Sequence, residues 1–310
     1  MTSSPSTTEV GQAGVRIAAF RLSAALLGES AVATQDEEGH HIDLYIGFSS
    51  PYAKLQRTIA AQVKTGHFIK HGPRSRIQRI KKQHIESWAG SQFPVVVIAI
   101  EPGPVVTDRY RFIRPRTAHD ETLSCSKYDF ISPSLRFVAE REIALRHPPA
   151  QSPLLQIPPF PTVAIAPARE QARIAYKQLR STTFAIPGMG SVRFTQHGWK
   201  HITRRSSDKS RAKFLDSYQL LTHLHQFDGR APHRHEVLDR KLGSDRKWVH
   251  ETNTLLLRYL SVFFGDSHYE VFLRLIERIS YPKKWAERTD LTACVSRDLF
   301  FESIYRKPAG

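Results

Sequence analysis

Seven prolines lie between His147 and Pro167: Pro148, Pro149, Pro153, Pro158, Pro159, Pro161 and Pro167. Proline fixes φ, removes an amide donor and restrains the residue before it, so no regular helix or interior strand runs through such a stretch. It reads as an extended connector that divides the chain. Length agrees, because 310 residues exceed the roughly 250–300 at which a single core stops growing. The sequence therefore predicts two domains, 11–146 and 169–310, joined by a proline-rich linker over 147–168. The first ten residues, rich in Ser and Thr, read as a frayed end.

Charge distinguishes the two parts. Lys and Arg number 45 against 29 acids, a formal net of +16. Residues 1–150 hold 19 basic and 14 acidic side chains, so 151–310 hold 26 and 15, and most of the excess lies in the second part. Such a surplus favours a polyanion by steering and counterion release, which makes nucleic acid the expected partner. The blander alternative is a basic protein that meets RNA through bulk charge alone. The longest apolar run, 95–100, is far short of the roughly 18–20 residues that span a bilayer, so no membrane partner is expected. Cys125 and Cys294 are too few for a disulfide scaffold or a Cys-based zinc site. With no basic-then-apolar leader at the start, a reducing cytoplasm is the expected location.

In the first part, apolar residues crowd 15–27 as in a mostly buried helix, with Gly28 as its stop. Residues 41–48 alternate Ile42, Leu44 and Ile46 against Asp43 and Tyr45, a strand, and 58–65 return as its hairpin partner. Residues 74–88 place Ile77, Ile80, His84, Ile85 and Trp88 on one helical face, and 93–100 form a fully buried strand. Helix, hairpin, helix, buried strand is an α/β order. The second part places helices at 168–179 and 211–224, then β-rich runs at 248–264, 269–280 and 291–305, the first two joined by a turn at Gly265-Asp266-Ser267. That is an α+β pattern with an antiparallel sheet.

Gln62 and Lys64 are two apart on one strand, so they share a face, and the hairpin can set Asp43 opposite them. A carboxylate, a side-chain carbonyl and an amine on one sheet edge suit metal-assisted phosphodiester hydrolysis. Asp43 and Gln62 would hold Mg²⁺, and Lys64 would neutralise developing charge. The structural alternative is that Asp43 caps a strand and Lys64 is an ordinary surface cation. The set resembles the PD-(D/E)XK nuclease superfamily in the variant with Gln for the second acid. Together with His41-Ile42-Asp43-Leu44, Ala61-Gln62-Val63-Lys64-Thr65-Gly66, Ile85-Glu86-Ser87-Trp88 and Pro94-Val95-Val96-Val97, it resembles domain-of-unknown-function family 4365 over residues 11–125. The resemblance implies a PD-(D/E)XK-like α/β fold and nuclease activity. This chain departs from it in the first helix, where Arg16 stands near the usual glutamate. No acid occurs from 15 to 28, which leaves Glu29, Asp36, Glu37 or Glu38 to supply one. Lys70, Arg74, Arg76, Arg79, Lys81 and Lys82, with no acid among them, suit phosphate contacts or a solvated helix face.

In the second part, 192–205 gathers His197, Trp199, Lys200, His201, Arg204 and Arg205, with Arg211 on the next helix. His197 and His201 lack the intervening Glu of a zinc motif, and for His233 and His235, read as loop residues, the sequence makes no acid partner obvious. RNA cleavage without a metal fits better. It needs a base, an acid and cations for the phosphorane, and His201, Arg204 and Arg211 offer them with Ser303 and Tyr305 on the last strand. Trp199, Lys200 and Arg205 would grip the strand. The order of elements over 188–307 resembles the barnase/colicin-type toxin nuclease fold. These resemblances imply a nuclease in a bacterial defence or toxin-like role, with self-association and a cognate inhibitor or defence protein as further partners. The competing expectation is a non-catalytic nucleic-acid-binding protein with a degenerate nuclease fold.

Overall fold

The computed structural model describes residues 7–34, 41–72, 74–101, 105–114, 122–146, 154–204, 211–288 and 290–309. The chain divides into two compact units, Met1–Ile143 with Tyr281–Val295, and Ala144–Ser280 with Ser296–Gly310. The division near 143 falls beside the proline-rich stretch, but 281–295 return to the first unit. Architecture is mixed α/β, with antiparallel pairing prominent in both units.

The first unit opens with α1 (Thr7–Leu26), then β1 (Gly28–Val32), β2 (Leu44–Ser49) and β3 (Gln56–Thr65). The helix ends one residue before the expected stop, at Leu27 with φ 54°, while Gly28 already belongs to β1. A short sheet follows, β4 (Ile69–Lys70) and β5 (Ser75–Ile77), later completed by β8 (Leu123–Cys125). Then come α2 (Lys82–Gly90), β6 (Val95–Glu101), β7 (Thr107–Phe112) and α3 (Leu135–Arg146). The main sheet runs β1-β2-β3-β6-β7, antiparallel except for the parallel pair β3–β6. All of Val95–Ile100 is buried, as expected of a central strand covered on both faces.

The helix expected over 74–88 is shorter. Ser75 and Ile77 are buried and Arg76 is exposed, an alternation of two that makes β5, and Arg79 at φ 62° breaks any helical continuation. Helix α2 starts only at Lys82. It buries Ile85 and Trp88 against Ala60, Val95, Val97 and Ala99. Those strand positions share the face of Gln62 and Lys64. Helix α1 lies on the opposite face, where a Cβ at Gly14 would come 2.7 Å from Thr65 Cβ. Only glycine permits so close a crossing.

In the second unit the proline-rich stretch contributes a strand of its own, β9 (Leu155–Ile157), parallel to one end of β13. Helix α4 (Ile165–Ser181) buries Ala168, Ala172, Tyr176 and Leu179, one amphipathic stripe. After the small hairpin β10 (Ala185–Ile186) and β11 (Gly190–Ser191) come α5 (Gln196–Thr203) and α6 (Arg211–Thr222). The sheet then runs β12-β13-β14-β15 through β12 (Arg234–Ser244), β13 (Trp248–Phe264), β14 (Ser267–Pro282) and β15 (Ser296–Pro308). The turn at Gly265, φ 59°, joins β13 and β14 as expected. The run expected from 291 begins instead as a helical turn, α7 (Leu291–Cys294), and strand geometry starts at Ser296. The core lies between the helices and Leu255, Leu257, Leu273, Leu275, Leu299 and Phe301.

Candidate functional sites

Asp43 stands one residue before β2, where its amide donates to Ala61 O at 3.0 Å and so docks it beside β3. Its Oδ2 accepts from Gln62 Nε2 at 2.5 Å and from Val63 N at 2.6 Å. The second amide proton of Gln62 goes to Val63 O at 3.2 Å. Gln62 is only 5% exposed, and its Oε1 is buried with no hydrogen-bond partner. Turning the amide over would set that oxygen against the Asp43 carboxylate, so the bonding fixes the nitrogen on Asp43 and leaves the carbonyl without that contact. Burial pulls the Lys64 ammonium below its usual range, and the Asp43 charge pulls it back up. The three residues predicted to act together are therefore in one place. Strand capping is part of the same geometry, since Asp43 also binds a backbone amide.

Two histidines lie at this site without having been singled out for it. The rings of His41 and His84 are 3.7 Å apart, and His84 leans on Trp88 at 5.8 Å. His41 adopts φ 57°, left-handed for a non-glycine residue, two positions before Asp43. His84 is pushed below the usual imidazole range by burial first, then by the nearby charges of His41, Lys64 and Lys81. A neutral imidazole at neutral pH results. The sequence signal was a polar residue on the α2 face that otherwise carries Ile85 and Trp88.

Among the described residues no group of three or more His, Cys, Asp or Glu side chains gathers to hold a metal. Glu29 is exposed on β1, and Asp36, Glu37 and Glu38 lie outside the described residues. The donor set for a cation is thus Asp43 with Gln62 Oε1. A buried carbonyl oxygen lacking a partner, beside a carboxylate, fits Mg²⁺, which commonly takes one or two protein oxygens and fills its octahedron with water and phosphate oxygens. Arg74, Arg76, Arg79, Lys81 and Lys82 are all exposed, on β5 and the approach to α2 rather than along one helix. Lys70 pairs across from Arg76 on β4, and Lys82 is 3.7 Å from Glu86.

In the second unit, α5 brings His201 to β15. His201 Nδ1 is 3.6 Å from Glu302 Oε1, and Arg274 Nε is 2.7 Å from Glu302 Oε2. Glu302 sits where the β14–β15 register slips, between Phe301 and Ser303. Ser303 pairs with Arg274, and Tyr305 stacks on Phe272 at 4.9 Å, with the phenol raised by burial. Trp199, partly buried, packs on the core beside Tyr176. Lys200 and Arg204 are exposed, Arg204 ending α5. Arg211 opens α6 with its side chain outside the described part, and Arg205 lies outside the described residues. Glu302 and Arg274 were not foreseen as partners, because a bulge between strands leaves no sequence period to read.

Gly198 sets this arrangement. A Cβ there would lie 2.5 Å from Phe301 O and 2.6 Å from the Tyr176 hydroxyl, so glycine lets α5 touch β15. Gly198→Ala is expected to destabilise the protein by about 1–3 kcal/mol, read as a lower urea midpoint with unchanged m-value.

No helix among the described residues is long and apolar enough to cross a membrane. No protein-family model, curated protein or solved structure matches this chain.

Proposed function

We propose that the first unit is a Mg²⁺-dependent nuclease that hydrolyses phosphodiester bonds at Asp43, Gln62 and Lys64. The observation that carries this reading is the buried, partnerless Gln62 Oε1 held beside the Asp43 carboxylate by that carboxylate's own hydrogen bond. The order helix, three antiparallel strands, helix and parallel strand supports the PD-(D/E)XK resemblance, with Gln62 and Lys64 on the face toward α2.

Asp43 and Gln62 would hold Mg²⁺, which when bound supplies charge to polarise the scissile phosphate and acidify a nearby water. Asp43 fixes the amide by its nitrogen and leaves the carbonyl without that contact. Lys64 places a cation where charge builds on the phosphate oxygens, in partly dehydrated surroundings that strengthen its field. Neutral His84 is available to accept a proton beside it. The exposed cations of β5 and the approach to α2 contact flanking phosphates and set register without reading bases. The resemblances supply the setting, bacterial defence or toxin-like action.

Plasmid DNA nicking tests this. Cutting is expected with Mg²⁺, none with EDTA, and Gln62→Ala is expected to raise the half-saturating Mg²⁺ concentration by about ten-fold or more. Mg²⁺-independent cutting, or an unchanged Mg²⁺ requirement in Gln62→Ala, refutes the assignment. A second reading, RNA cleavage without metal by the other unit, is favoured by the His201–Glu302 pair alone. It predicts EDTA-resistant RNA cutting that disappears in His201→Ala.

A further inference from the structure

We infer that a groove on the first unit, remote from the Asp43 site, holds an unpaired nucleotide of a nucleic-acid strand. The groove lies between α1 and the 3₁₀ turn Trp285–Glu287 and has a volume of about 560 Å³. Arg16, Phe20, Arg21, Lys283, Lys284 and Trp285 line it. Phe20 is 63% exposed, an aromatic ring left open to water, whereas Trp285 is a buried wall at 7%. Arg21 lies over Trp285 at 5.7 Å and is held by Asp108 at 3.1 Å. Lys284 is 3.5 Å from Glu287, the one acid of the lining. Arg16 and Lys283 form no ion pair among the described residues, and they line the same groove as the exposed ring.

An open ring in one groove with two unneutralised cations asks for a ligand that is planar and apolar in one part and anionic in the next. A nucleotide has this form: the base stacks on Phe20 and its phosphates meet Arg16 and Lys283. An acidic peptide offers the charge without the plane. Duplex nucleic acid offers the charge but hides its base faces in the stack, so the groove selects unpaired strands. Because α1 covers the sheet face opposite Gln62 and Lys64, the groove takes no part in bond breaking. The inference goes beyond the cleavage reading and stands whether or not Asp43 serves an active site.

The test is fluorescence anisotropy of the full chain with labelled oligo-dT and with a matching duplex, in EDTA so that cleavage plays no part. Phe20→Ala is expected to weaken oligo-dT binding about ten-fold and duplex binding by less than about two-fold, with Phe20→Trp restoring the difference. Lys283→Ala is expected to reduce the salt slope for oligo-dT by about 0.7. The ring is exposed, so melting of Phe20→Ala should match the parent, which a thermal scan checks. Equal losses on both probes, or none on either, overturn the assignment. So does a self-association, seen by light scattering, that Phe20→Ala abolishes while oligo-dT binding stays unchanged. A protein that grips oligo-dT through Phe20 but never cuts would refute the cleavage reading and leave this one intact.

Discussion

Lys64→Ala is expected to lower the Mg²⁺-dependent nicking rate by about 10²–10³ while oligonucleotide binding changes by less than about two-fold. The magnitude follows from where the ammonium sits. Lys64 is half-buried on a strand, drawn below its usual pKa by burial and held charged by Asp43 across the hairpin. Such a cation has already lost water and costs little reorganisation when charge builds on the phosphate. The exposed arginines of β5 differ: water and salt screen them, so single losses there weaken binding and leave the chemical step alone. Lys64→Met, which keeps the stem and removes the charge, should match Lys64→Ala. Agreement between the two excludes a packing effect, and an unchanged rate in both would move the chemistry away from Asp43.

The largest expected effect on stability lies in the second unit, at Arg297. Its Nε donates to Glu277 Oε1 at 2.8 Å and its Nη1 to Met189 O at 2.6 Å. Asn253 Nδ2 donates to the other Glu277 oxygen at 2.9 Å. Glu277 is fully buried and Arg297 is 7% exposed. Arg297→Ala strips the guanidinium from a carboxylate that water does not reach, and a loss of about 3–5 kcal/mol is expected. Urea titration followed by far-ultraviolet circular dichroism reads it as a lower midpoint. Replacing both partners, Arg297→Met with Glu277→Leu, should recover most of the loss, because the cost lies in the stranded charge rather than in the absent pair. A double variant as weak as the single one would show instead that the bonds to Asn253 and Met189 carry the stability.

Legibility followed periodicity. The run Val95–Ile100 declared itself, because a strand covered on both faces is apolar at every position, and the alternation of Ile42, Leu44 and Ile46 against Asp43 and Tyr45 gave β2. The hairpin of that strand with 58–65 then sets Asp43 beside Gln62 and Lys64, since strand geometry alone decides which side chains share a face. The stretch 74–88 misled because Ile77, Ile80, His84 and Trp88 fall at helical spacings, whereas the strand alternation rests on Ser75, Arg76 and Ile77 alone. Only Arg79, in a left-handed conformation that its side-chain type does not announce, separates strand from helix. Strand β12 was missed, being almost wholly exposed and rich in charge. Its signal was the turn after it, where Asp245 Oδ1 accepts from Lys247 N and Trp248 N at 2.8 Å. The His201 partners stayed hidden for a different reason. They depend on a register slip and on a glycine contact between α5 and β15, neither of which repeats along the chain.

The return of Tyr281–Val295 to the first unit has a consequence for the order in which the protein is made. The ribosome delivers α1 long before Trp285, which packs beneath Arg21. At about 5–20 residues per second, α1 waits many seconds for that wall. Through this interval the helix shows its uncovered side to water, and the groove that includes Phe20 does not yet exist. Any strand captured there is captured only by a chain that already extends past Trp285.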